Sequence, residues 1–176
     1  TTTMATDHLF NNKYRTQTMR LQGWDYSSSG CYFITACTKD HEMYFGKIQN
    51  GEMYLSELGY IAAGNWLAMF RVYQVLIMDT WIIMPNHFHC LIGIDNPGRS
   101  VYQPNAFQRM VKNSISSVIN HFKGRVTKYA KKENLPFAWQ SRFHDHMIHD
   151  EDEFKRIQQY IINNPKNWDQ DKFYKT

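Results

Sequence analysis

The stretch from Trp81 to Ile94 constrains the fold more than any other, because two apolar runs flank a turn at Pro85 and Asn86. It predicts a strand, a tight turn and a second strand that begins with two histidines. Side chains on a strand alternate between faces, so His87 and His89 share one face and the apolar residues between and after them share the other. The pattern therefore predicts a half-buried strand with two imidazoles about 7 Å apart on the side away from that core. Such a pair holds a divalent cation once a third ligand arrives from elsewhere.

A chain of this length fits one domain with one core. We expect a basic arm over residues 1–30 and a single domain over residues 31–176. A hydrophobic share of 43% and an aromatic share of 15% favour a packed core over disorder. No apolar run is long enough to span a bilayer, and the first residues lack the basic-then-apolar order of a signal peptide. Three cysteines without CxxC spacing indicate reduced, buried thiols. We therefore expect a cytoplasmic protein without membrane contact.

Positive charge is distributed unevenly along the chain, although the net charge is only +4. The window from Asn96 to Lys132 contains no acidic residue, which favours a polyanion partner. A solvated helix face is the alternative explanation for such a window. A second basic group lies in the N-terminal arm. The predicted DNA contacts from the arm and the window are Lys13, Arg15, Arg20, Arg109, Lys112, Lys123, Arg125 and Lys128.

The order of predicted elements indicates an α+β fold. Without an extra β-hairpin at Asn50-Gly51, the order is βαββαβ plus a C-terminal helix, the ferredoxin-like (RRM-like) pattern. We expect an antiparallel sheet with helices on one face. The predicted strands are Cys31 to Thr38, Val75 to Ile83, the strand beginning at His87, and Phe143 to His149; the predicted helices are Ser56 to about Tyr73, Asn105 to Phe122 with a stop at Gly124, and Glu151 to about Asn164.

The last predicted helix carries three polar groups along one edge. Arg156, Tyr160 and Asn164 lie one turn apart, so a guanidinium, a phenol and an amide oxygen project together beside an apolar stripe. Taken alone, Tyr160 also fits a tyrosine at the boundary of a core, and Asn164 fits a simple helix stop before Pro165.

Three motifs in this order resemble the REP-associated tyrosine transposases, a branch of the single-tyrosine HUH transposases. The resemblance covers most of the chain. Its motifs are Leu21–Tyr26 before the first strand, Met84–His89 at the strand turn, and Trp139–His146 followed by Tyr160–Pro165. A pair of histidines spaced by one residue is common, but three motifs at these spacings are specific.

The resemblance implies a transposase-like strand transferase acting on single-stranded DNA with a hairpin. It implies Tyr160 as a nucleophile that forms a 5′-phosphotyrosine, and His87, His89 and Asn164 as ligands of Mg²⁺ or Mn²⁺. The chemistry of the ligand atoms does not decide the identity of the metal, since two imidazoles also suit zinc. Arg156 and His146 are candidates for site support.

Two other functions also fit the sequence. One is a non-catalytic nucleic-acid-binding module, and the other is a metal-dependent hydrolase with a water nucleophile. The sequence shows no general base beside Tyr160, and it leaves open whether a homodimer exchanges the tyrosine helix between chains.

Overall fold

The computed structural model describes residues 9–10, 13–14, 30–95 and 114–174, the first two ranges by backbone alone. The motif Leu21–Tyr26, the start of the predicted second helix at Asn105, and the predicted DNA contacts Arg15, Arg20, Arg109 and Lys112 lie outside the described residues, as does the side chain of Lys13. In the described ranges no helix is long and apolar enough to cross a membrane. The strands are β1 Leu9–Phe10, β2 Lys13–Tyr14, β3 Cys31–Cys37, β4 Gly46–Gln49, β5 Glu52–Leu55, β6 Leu76–Ile83, β7 His87–Ile94 and β8 His144–Met147; the helices are α1 Glu57–Val72, α2 Ile115–Lys132 and α3 Glu151–Asn163.

Four strands form the central sheet in the order β6-β7-β3-β8, and each neighbouring pair is antiparallel. This is the ferredoxin-like order predicted from the sequence. The extra hairpin pairs β4 with β5. Its two turn residues, Asn50 and Gly51, have positive φ angles of 52° and 72°, as the tightest hairpin turns require.

Helices α1 and α2 pack together on one face of the sheet, as expected. The core between them centres on Trp66, whose ring lies 4.7 Å from Phe88 of β7 and 5.4 Å from Phe122 of α2. Helix α3 covers the opposite face, where Phe154, Ile157 and Ile161 pack with Cys31, Leu91 and Ile148. The face of β7 that carries the two histidines is therefore the face covered by α3.

The predicted stop of the second helix at Gly124 is wrong, because α2 continues to Lys132. A glycine inside a helix costs up to about 1 kcal/mol relative to alanine. Burial of Val126 and Ala130 after the glycine extends the apolar stripe and offsets this cost.

Two glycines of α1 give a matched test of helix packing. A Cβ on Gly59 would lie 2.2 Å from the backbone oxygen of Phe45, which already accepts a hydrogen bond from Ser56, whereas a Cβ on Gly64 would meet no atom within 4 Å. We expect Gly59→Ala to lower the free energy of unfolding by about 2 kcal/mol through overpacking. We expect Gly64→Ala to raise it by roughly 0.5–1 kcal/mol through helix propensity. Urea unfolding of both variants measures the difference in the free energy of unfolding. Equal effects of the two substitutions would show that the loop containing Phe45 moves to accommodate the added methyl group.

Candidate active site

The two histidines of β7 lie side by side on the face covered by α3. His87 pairs with Cys37 and His89 with Thr35 of β3, so the strand register fixes both positions. Their ring centroids are 4.4 Å apart, and both side chains are 0% exposed. The predicted alternation is confirmed, because Phe88, Cys90 and Ile92 belong to the core on the other face.

A hydrogen bond holds Nδ1 of each imidazole. His87 Nδ1 lies 2.9 Å from Asn86 Oδ1, and His89 Nδ1 lies 2.8 Å from Thr35 Oγ1. The amide oxygen only accepts, so His87 carries its proton on Nδ1. His87 Nε2 is buried without a hydrogen-bond partner. A buried lone pair of this kind is costly to leave unpaired, and metal coordination satisfies it, so the pair fits a metal site.

Burial keeps both imidazoles in the form that binds metal. It lowers the pKa of His87 to about 3 and the pKa of His89 well below its ordinary value. Metal binding by such a neutral imidazole requires no proton release.

Acid is expected to destabilise the metal-free protein through these histidines. The unfolded chain binds a proton at each histidine near pH 6.5, whereas the folded chain does not, so the free energy of unfolding falls as the pH drops below 6.5. From pH 7.5 to 5.5 the loss is about 1 kcal/mol for each histidine. Urea unfolding at both pH values measures it. His89→Asn should reduce the pH dependence, the exposed control His144→Asn should not, and an unchanged dependence in His89→Asn would contradict this assignment.

Helix α3 brings Tyr160 and Asn164 to the two histidines within one chain. Its N-cap Asp150 accepts a 2.8 Å hydrogen bond from the backbone of Glu153. The Tyr160 oxygen lies 3.5 Å from His89 Nε2, and the side chain is 39% exposed. Asn164 is 1% exposed, and its Oδ1 is buried without a partner, as expected of an oxygen that can coordinate an ion.

A buried carboxyl group attaches α3 to the sheet. The Gln158 side-chain amide donates to both oxygens of Asp79 on β6, at 3.1 and 2.8 Å, and the Thr80 hydroxyl donates to the same carboxyl at 2.7 Å. Asp79 is 0% exposed, and burial raises its pKa. This polar contact lies beside the apolar contacts of Phe154, Ile157 and Ile161.

Asp171 completes a cluster that the sequence did not reveal. Ligand atoms of His87, His89 and Asp171 all lie within 4.8 Å of one another. Asp171 Oδ2 accepts hydrogen bonds from the Tyr160 hydroxyl at 3.2 Å and from Asn164 Nδ2 at 2.6 Å. Burial and the nearby Asp171 carboxylate raise the pKa of Tyr160 to about 12, so the phenol is protonated in this arrangement.

The two residues predicted as site support contact a different partner. His146 Nε2 lies 2.8 Å from Glu153 Oε1, and the exposed Arg156 guanidinium lies 3.6 Å from the same oxygen. Both side chains therefore face the carboxylate at the start of α3, with no contact to the two histidines of β7 in the described structure.

Lys123 was predicted to contact DNA, but its ammonium group points into the protein. It donates to the backbone oxygens of Gln140 at 2.6 Å and Arg142 at 3.3 Å, and the residue is 8% exposed. It therefore secures the loop before β8 and is not available to a phosphate. Arg125 donates to Asn65 of α1 at 2.6 Å, and Lys128 is exposed on α2, so both lie in the helix layer opposite the histidines.

No protein-family model matches the chain. An uncharacterized protein of Haemophilus influenzae Rd is 34% identical over 166 residues, spanning 90% of this chain and 92% of that protein. A REP-associated tyrosine transposase, solved bound to a REP hairpin, superposes with a TM-score of 0.57 at 17% identity, over 89% of this chain and 73% of that one. A candidate transposase from Deinococcus radiodurans R1 has a TM-score of 0.47 at 16% identity, over 83% and 97% of the chains, and is too distant to add an argument. The chain thus belongs to one family with the Haemophilus protein and has the fold of the REP-associated tyrosine transposases.

Proposed function

We propose that the protein is a metal-dependent strand transferase, or endonuclease, that cleaves single-stranded hairpin DNA through Tyr160. One observation carries the proposal: the exposed phenol lies 3.5 Å from His89 Nε2, beside a second buried imidazole with an unpaired nitrogen. A nucleophile next to a pair of metal ligands is an arrangement that suits metal-dependent phosphodiester cleavage. The fold shared with a REP-associated tyrosine transposase supports the same reaction class.

In the proposed reaction, His87, His89 and Asn164 would hold a divalent cation, Mg²⁺ or Mn²⁺. When bound, such a cation would supply Lewis-acid chemistry, which neutralises phosphate charge and orients the phosphate. The Tyr160 oxygen attacks phosphorus and the bond from phosphorus to the 3′ oxygen breaks. The phenol proton passes to water, and water supplies the proton that makes the departing 3′ oxygen a hydroxyl. The 5′-phosphate stays on Tyr160, which preserves a reactive ester for strand transfer.

We infer a hairpin substrate from the solved neighbour, which was bound to a REP hairpin. The exposed cations of α2, including Lys128, lie in the layer behind the site, and the other basic residues named from the sequence stay predictions. Tyr160 meets the histidines of its own chain, so the proposal needs no exchange of helices in a homodimer. A cytoplasmic location also stays a prediction.

Covalent trapping tests the proposal. Hairpin oligonucleotides with randomised single-stranded flanks and a 3′-end label are incubated with the protein and Mn²⁺, and a denaturing gel detects labelled protein. Mass spectrometry of the digested adduct should place the DNA on Tyr160. Cleavage without an adduct would indicate the water-using hydrolase, and binding without cleavage in any metal would indicate the non-catalytic module.

A further inference from the structure

The turn residue Asn86 contacts the metal-ligand pair, although the proposed reaction gives it no role. The residue is 0% exposed. Its Oδ1 lies 2.9 Å from Nδ1 of the neighbouring His87. Its Nδ2 donates to the backbone oxygens of His41 at 3.1 Å and of Phe173 at 2.7 Å. Both N–H donors of the amide group and one lone pair of its oxygen are therefore occupied inside the protein.

The two backbone oxygens fix the direction in which this amide group faces. A backbone oxygen only accepts, so a reversed amide would place Oδ1 against two other acceptors and lose both hydrogen bonds. Such unpaired polar atoms are costly in a buried position. Asn86 therefore presents its oxygen, and not its nitrogen, to His87.

The backbone around Asn86 is held as firmly as its side chain. Its backbone oxygen accepts from the backbone nitrogen of Thr38 at 2.9 Å, and the oxygen of Pro85 accepts from Phe45 at 3.0 Å. The His41 oxygen belongs to a turn in which Asp40 and His41 have φ angles of 55° and 56°. Residues other than glycine adopt this left-handed conformation at a cost, which contacts from outside the turn must offset. The amide oxygen thus has a fixed position relative to His87.

An acceptor opposite Nδ1 decides which nitrogen of the neutral His87 ring carries the proton. The proton lies on Nδ1, so Nε2 keeps its lone pair. Nε2 is buried without a hydrogen-bond partner, and so is Oδ1 of Asn164, the third proposed ligand. Both atoms are acceptors in this tautomer, so neither can satisfy the other. A cation bound by both residues would satisfy the two atoms together.

The second imidazole of the pair has a less restrictive partner. His89 Nδ1 lies 2.8 Å from the Thr35 hydroxyl, and a hydroxyl can donate or accept. Its Nε2 lies 3.5 Å from the Tyr160 hydroxyl, which has the same freedom. These two contacts alone impose no tautomer on His89, whereas Asn86 imposes one on His87.

We propose that Asn86 is a positioning residue, which holds His87 in the tautomer protonated at Nδ1 and so keeps Nε2 available to the metal. This inference rests on the proposed function, since it concerns a ligand of the same metal. His87 is then the ligand that binds a cation without a change of tautomer. The residue before the two histidines thus serves the chemistry of the site as well as the turn between β6 and β7.

Nitrogen-15 NMR of histidine-labelled protein without metal tests the tautomer directly. Protonated and unprotonated nitrogens of a neutral imidazole have well-separated chemical shifts, so the spectrum shows which nitrogen carries the proton. We expect wild-type His87 to be protonated at Nδ1 alone. A proton on Nε2 of His87 would overturn the proposal, whether or not the protein binds metal or cleaves DNA.

Two substitutions separate the positioning of His87 from the support of the backbone. Asn86→Asp keeps an oxygen opposite His87 Nδ1 but removes the amide nitrogen that donates to His41 and Phe173, whereas Asn86→Ala removes both. In Asn86→Asp we expect a proton on Nδ1 of His87 and a calorimetric Mn²⁺ affinity at or above that of the wild type. In Asn86→Ala we expect both tautomers and a fall in Mn²⁺ affinity of about 10–100-fold. Equal losses of affinity in the two variants would show that Asn86 supports the backbone alone and would overturn the proposal.

Thr35→Val is the matched control within the same site. It removes the hydroxyl beside His89 and keeps a branched side chain on β3, so the tautomer of His87 should not change. A changed His87 tautomer in this variant would show that general packing, and not Asn86, sets the tautomer. If the wild-type protein binds no Mn²⁺, the proposed function fails. The metal-free spectra then still decide on Asn86, and a folded Asn86→Ala protein with His87 protonated at Nδ1 alone would overturn its role.

Discussion

Replacing Tyr160 with phenylalanine is expected to abolish the covalent DNA adduct and to lower strand cleavage by at least about 1,000-fold. The phenol oxygen is the only atom removed, and it is the atom that forms the bond to phosphorus in the proposed reaction. The ring itself remains, packed edge-on against Phe33 at 6.1 Å and beside His89 at 5.5 Å. The fold, metal binding and DNA binding should therefore persist. Initial cleavage rates of a 3′-labelled hairpin, with and without the substitution, measure the effect.

Tyr54→Phe is the matched control for this substitution. Tyr54 is 41% exposed, close to the 39% of Tyr160, and its hydroxyl contacts only Glu52 of the same hairpin among the described residues. Cleavage by Tyr54→Phe should equal that of the wild-type protein. Residual cleavage above a tenth of the wild-type rate in Tyr160→Phe would show that water can serve as the nucleophile, and the hydrolase would then be the better description.

Alanine at His87 or His89 is expected to lower the affinity for Mn²⁺ by more than about 100-fold and to abolish cleavage. Removing a hydrogen-bond partner of a metal ligand typically lowers metal affinity by about 10–100-fold, and removing the ligand itself lowers it further. The buried, unpaired Nε2 of His87 is the group that the ion would satisfy. Calorimetric titration with Mn²⁺ measures the affinity independently of DNA cleavage.

His146→Ala controls for the removal of an imidazole from the same face of the sheet. His146 contacts Glu153 and is half-exposed, so its loss should leave Mn²⁺ affinity within about twofold of wild type. Thermal melts without metal show whether each alanine variant is folded. Folded His87→Ala or His89→Ala protein with wild-type Mn²⁺ affinity would refute the metal site.

The parts of the site that follow strand and helix periodicity were predictable from sequence. Alternation along β7 placed His87 and His89 on one face, and the helical repeat placed Tyr160 and Asn164 on one edge of α3. Predicting that this face of β7 contacts this edge of α3 also required the resemblance to a known family. Periodicity within an element does not specify which elements pack together.

The parts that depend on irregular backbone were not predictable. Asp171 lies beyond Pro165 in a stretch without periodicity, so no spacing rule connects it to the histidines. The complete burial of the histidines has the same origin, since Phe173 and Trp168 supply part of it. The burial of the Lys123 ammonium group was not predictable for a different reason. Charge counts do not show whether an ammonium group points to solvent or binds backbone oxygens inside the protein.

The buried contact between Asp79 and Gln158 has a consequence for the alignment of the reacting groups. An apolar interface tolerates sliding, because one hydrophobic contact replaces another at little cost. Sliding α3 by one turn would move Tyr160 about 5.4 Å along the helix axis and leave the Asp79 carboxyl group buried without its amide donor. The side-chain amide of Gln158, two residues before Tyr160, thus selects a single register of α3 against the sheet. That register sets the separation between the Tyr160 phenol and the His89 imidazole. The apolar contacts of the interface specify neither the register nor the separation.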